Sequence, residues 1–86
     1  MIAPQNAFGP WRPDIDPAER LARLRSMRAI ARLTLGPRGE IFAETLRQAE
    51  TNPDQLEAAL HQLEALAALD RRTVLASFAA LHRPAA

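Results

Sequence analysis

Two short segments of this chain carry the same helix-start signal, and together they dictate most of what it can fold into. Asp16-Pro17-Ala18-Glu19 places a carboxylate at the cap, a proline at the first helical position and a glutamate at the third. Asn52-Pro53-Asp54-Gln55 repeats the arrangement. The cap oxygen accepts one of the N–H groups that a first helical turn leaves without a partner, and proline has none to lose there. Helices are therefore expected to begin at 17 and 53. Gly36-Pro37 stops the first, and Pro37 can open a second despite Gly39 in its first turn.

From Pro53 nothing stops the helical pattern cleanly before Pro84. Leu56, Leu60, Leu63 and Ala67 recur in three- and four-residue steps, and the count continues through Asp70, Val74, Ser77 and Leu81. One helix of about 30 residues would measure about 45 Å and overhang so small a domain. The expectation is a break near residues 69–71 with Asp70 as an N-cap; a continuous helix is the alternative. The predicted elements are 17–35, 37–50, 53–69 and 71–82, the last two continuous in that alternative.

The apolar composition agrees with helices. Of 41 hydrophobic residues 18 are Ala and 12 are Leu, while a single Val and no Tyr leave little for a sheet. The fold class is all-α: a three- or four-helix bundle over residues 17–83, with a short tail at 84–86. On the first helix, Leu24, Met27, Ile30, Ala31 and Thr34 form the apolar stripe, with Leu21 and Leu35 at its edge. Residues 1–16 read differently. Pro4, Pro10 and Pro13 punctuate them and forbid a helix or a central strand, so an extended Pro-rich arm is expected. Its anchors are Phe8, Trp11 and Ile15.

Charge and cysteine usage limit the function classes. All eleven basic residues are Arg, which together with the abundance of Ala reads as GC-rich bacterial codon usage. Residues 1–38 carry seven Arg against three acids and residues 39–86 four Arg against seven, so the two halves attract. The chain has no Cys, hence no disulfide framework and no thiolate chemistry. It shows no signal-peptide pattern and no run long enough to span a bilayer, and a cytoplasmic location without a membrane span is expected.

No chemistry stands out. Ser26 and Ser77 have no His at a helical spacing that makes an active face, and Gly36-Pro37-Arg38-Gly39 lacks the length and the Lys of a phosphate loop. Glu57, His61 and Glu64 share a face opposite Leu56, Leu60 and Leu63, which predicts a solvated stripe in place of a metal site. His82 is expected at the last turn of its helix, near the terminal carbonyls. Neither catalysis nor a cofactor or metal is expected.

The functional expectation is association. Leu33, Leu35, Ile41, Phe42, Leu66 and Leu69 widen the apolar faces beyond a two-helix seam, so another protein or a second copy would bind there. The partner-binding candidates are Phe8, Trp11, Ile15, Leu66 and Leu69. The alternative is a nucleic-acid-associated regulator whose anion-binding face is Arg25, Arg28 and Arg32 on the first helix. Salt bridges from these arginines to Glu40 and Glu44 would instead neutralise that face.

Overall fold

The computed structural model describes residues 9–82, and all regular structure among them is helical. In chain order the elements are α1 (Pro17–Leu35), a 3₁₀ turn (Gly36–Gly39), α2 (Glu40–Ala49), α3 (Asp54–Ala65) and α4 (Ala68–His82). The first start signal operates as the sequence implies, whereas at the second the helix begins at Asp54 in place of Pro53, because Pro53 itself takes the cap position and the first bonds there close as tight turns, Gln55 N–H on Asn52 O and Leu56 N–H on Pro53 O. Asp16 accepts the Ala18 N–H at 3.0 Å with Pro17 behind it, and Asn52 Oδ1 accepts the Asp54 N–H at 3.0 Å.

The expected stop at Gly36 is present. Gly36 takes φ 59° and ψ −137°, a conformation open to glycine alone, and its N–H closes on the Arg32 carbonyl. Pro37 opens a 3₁₀ turn where an α-helix from 37 was expected, and α2 proper begins at Glu40. Close packing explains the tight turn. A Cβ at Gly39 would sit 2.8 Å from Leu35 Cβ and 3.1 Å from the Ala31 carbonyl oxygen, so only glycine lets the chain double back there.

The third and fourth helices are separate, but the break lies three residues ahead of its expected place. Leu66 is extended at ψ 152°, its N–H bonded to Leu63 O at 3.2 Å. Asp70 is consequently no cap. It lies in the first turn of α4 and accepts Arg38 Nε at 3.1 Å and a terminal Arg38 nitrogen at 3.0 Å. The break also resets the helical phase: the buried face of α4 is Val74, Phe78 and Ala79, not the expected Val74, Ser77 and Leu81.

Arg25 and Arg28 of α1 reach Glu50 beyond the far end of α2, which makes α1 and α2 antiparallel. Helix α3 packs on α2, and α4 on the other flank of α1. The core comprises Leu24, Met27, Ile30, Ala31 and Leu35 of α1, Phe42 and Leu46 of α2, Leu63 of α3, and Val74 and Phe78 of α4. On α1 the edge residue Leu35 is buried and Thr34 is exposed, its hydroxyl returned to Ile30 O at 2.8 Å. No helix among the described residues is long and apolar enough to cross a membrane.

Residues 1–8 of the expected arm lie outside the described residues, and residues 9–15 turn in place of extending. Arg12 N–H closes on Gly9 O and Ile15 N–H on Arg12 O, each at 3.4 Å, giving two successive turns. Pro10 is fully buried, and Trp11 packs against the core while donating its indole N–H to Leu56 O at 2.6 Å. Arg20 fastens the same segment to α1 through Pro10 O at 2.9 Å and Arg12 O at 2.7 Å.

Candidate functional site

The three arginines singled out as an anion-binding face divide between two environments. Arg25 donates Nε to Glu50 Oε1 at 3.2 Å, and Arg28 lies 3.7 Å from Glu50 Oε2. Glu50 is mostly sheltered, and just past the end of α2 its carboxylate hydrogen-bonds Arg25 and stands in a looser ion pair with Arg28. The expected pairing to Glu40 and Glu44 does not form; Glu50, a residue sequence reasoning passed over, takes that place. Glu44 instead binds Arg47 and Gln48 on its own helix, and Arg47 holds its carboxyl below the ordinary range. Arg32 makes no ion pair among the described residues.

Between α1 and α2, closed at one end by Gly36 and Pro37, lies a cleft of about 380 Å³. Arg28 and Arg32 line it from α1, Glu40, Glu44 and Arg47 from α2, and Ala43 supplies an apolar floor. A second cleft of about 250 Å³ separates the start of α1 from the α2–α3 connection, lined by Leu21, Leu24, Leu56, Pro17 and Pro53 with Arg20 and Glu50 at its polar edge.

The partner-binding candidates also divide. Phe8 lies outside the described residues. Trp11 and Leu66 pack against the protein's own core, and Ile15 is half-buried beside the turn it closes. Leu69 is 70 % exposed, and in this it is joined by Leu33 at 85 %, Ile41 at 74 % and Leu81 at 67 %. Leu33, Ile41 and Leu69 were legible as surplus to a narrow seam; Leu81 was placed on the buried stripe. Leu35 and Phe42, grouped with them in the sequence, are buried.

One pairing had no signal in local spacing. His82 Nε2 and Ser26 Oγ are 2.9 Å apart across 56 residues, joining the last turn of α4 to α1. The imidazole stacks on Phe78 with ring centroids 4.4 Å apart. Burial lowers the His82 pKa below its ordinary 6.5, Arg23 on α1 lowers it further, and Glu19 opposes both. The folded state thus prefers neutral imidazole, and the unfolded chain binds the proton more readily. Stability should be fully present above pH 6.5 and fall as the pH drops from there through the lower folded value. Urea denaturation across this range checks it. His82→Gln, which keeps a polar partner for Ser26 but cannot titrate, should flatten the dependence; an unchanged slope would remove His82 as its source.

Among the described residues no group of three or more His, Asp or Glu is placed to hold a metal ion. His61 and Glu57 lie 3.9 Å apart on a solvated face. Comparison of the chain with known protein families, with characterised proteins and with solved structures returns no match, so function is argued from this geometry alone.

Proposed function

We propose that this chain is a small non-catalytic association module, an accessory or adaptor protein that binds another protein or a second copy of itself in the cytoplasm. The supporting observation is the exposure of four large aliphatic side chains, Leu33, Ile41, Leu69 and Leu81, each with two-thirds or more of its surface in water. Covering such side chains is worth roughly 1.5–3 kcal/mol each when burial is complete, enough that a few of them can drive association. The binding residues in this reading are the aliphatic ones on α1, α2 and α4. Trp11 and Leu66 serve the interior.

Nucleic-acid binding through Arg25, Arg28 and Arg32 ranks second, because Glu50 already offsets two of the three charges. Catalysis ranks lower: Ser26 and His82 line neither cleft. Sedimentation velocity from micromolar to near-millimolar protein tests association. A rise in mass with concentration is expected, reduced by Ile41→Glu or Leu69→Glu. Stability in those variants should move by no more than about 0.5 kcal/mol, since neither side chain supports the core. A monomer throughout, in wild type and variants alike, would eliminate the self-associating form of the proposal.

A further inference from the structure

We propose that the cleft between α1 and α2 is a ligand site for a small carboxylate carrying an adjacent hydrogen-bond donor, the chemistry of an α-hydroxy or α-amino acid. Arg28 and Arg32 stand one helical turn apart on the same face of α1 and line this cleft together. Like charges at that spacing repel by a few tenths of a kcal/mol in a helix, so an anion between them relieves a standing cost. Neither guanidinium donates a hydrogen bond to any described residue. The contact of Arg28 with Glu50 is loose at 3.7 Å, and Glu50 Oε2, although buried, receives no hydrogen bond from it. Two planar forks of N–H donors are therefore available side by side, the geometry that carboxylate oxygens accept bidentately.

The opposite wall decides which anion fits. Glu44 is occupied by Arg47 and Gln48, whereas Glu40 makes no ion pair or side-chain hydrogen bond among the described residues. A dianion such as phosphate would face the unpaired Glu40 across the cleft at a Coulombic cost. A plain carboxylate would satisfy the arginines and leave Glu40 unanswered. A carboxylate with a neighbouring hydroxyl or ammonium answers both walls, its oxygens to Arg28 and Arg32 and its donor to Glu40. The volume of about 380 Å³ lies at the lower end of the range for small-molecule sites, in keeping with a ligand of a few heavy atoms and some retained water.

The test is NMR titration of the full chain, read at the arginine side-chain N–H resonances, with L-lactate, L-alanine, propionate and inorganic phosphate in parallel. Lactate or alanine should give saturable shifts at Arg28 and Arg32 with Kd on the order of 1 mM. The stronger of the two identifies whether the hydroxyl or the ammonium donor is preferred. Propionate, which lacks the donor, should bind several-fold more weakly, and Glu40→Ala should erase that difference. Arg32→Gln should weaken binding about tenfold, as expected for one lost charge-assisted contact. Both side chains are exposed, so neither variant should unfold the protein. Absence of saturable shifts, equal affinity for propionate and lactate, or tighter binding of phosphate would each overturn the assignment.

Discussion

Replacing Phe78 with Ala is expected to remove a large share of the protein's stability. Phe78 has no solvent exposure and is the largest fully buried side chain, carrying α4 against the core that α1, α2 and α3 share. Truncating a buried Phe costs about 3–5 kcal/mol in transfer and cavity terms, since close-packed neighbours relax only in part. For a chain of this size total stability is about 4–13 kcal/mol. A domain of 60–100 residues loses about 4–8 °C in Tm per kcal/mol, so the melt should shift down by at least about 12 °C. The substitution also removes the ring on which His82 stacks, so the tie from α4 to Ser26 weakens with it. Leu69→Ala, on the same helix but facing water, should change stability by less than about 0.5 kcal/mol. Circular dichroism melts of the two variants decide the matter. If Phe78→Ala shifts Tm by no more than Leu69→Ala does, α4 is not packed through Phe78.

Residues that act on their own backbone were the legible part of this fold. Asp16 caps α1 and Asn52 binds the Asp54 N–H at the start of α3 because each bond spans only two residues, and Gly36 ends α1 because no other side chain accepts its dihedral angles. The all-helical class follows from composition for the same reason, each Ala and Leu contributing its preference locally. Misjudged features depend on partners far away in sequence. Asp70 reads as a cap until Arg38, 32 residues earlier, claims both its oxygens. Glu50 gave no sign that it would gather Arg25 and Arg28, and Ser26 could not be linked to His82 by any helical spacing. The break at Leu66 has neither Gly nor Pro to announce it, and carrying the register of Leu56, Leu60 and Leu63 unbroken past it put the exposed Leu81 in the expected core. In the candidate site the arginines were visible as a stripe, but which of them stay available depended on acids that only the folded chain brings near.

Trp11→Ala should destabilise the monomer, and this result separates a segment that seals its own core from one that waits for a partner. Trp11 sits against the shared core and donates to Leu56 O at 2.6 Å, while Pro10 beside it is fully buried and Arg20 fixes both neighbouring carbonyls. Removing a large aromatic from such a place costs about 3–5 kcal/mol when burial is complete, and less here because one edge of Trp11 meets water. Trp11→Phe divides that loss into parts. It keeps a phenyl-sized part of the apolar surface and deletes the indole N–H with the rest of the second ring, so the loss exceeds the about 0.5–1.5 kcal/mol of the hydrogen bond alone, a figure held low because Leu56 O retains its second lone pair for the helical bond within α3. The order of urea midpoints should therefore run wild type, then Phe, then Ala. As the only tryptophan in the chain, Trp11 reports on its own release through the red shift of its fluorescence, and that transition should coincide with loss of helical circular dichroism. Separate transitions, or an Ala variant as stable as wild type, would mean that the turns at residues 9–15 open without cost to the core. Trp11 would then be available to a partner, and the aromatic anchor would rejoin the exposed aliphatic residues as part of the binding surface.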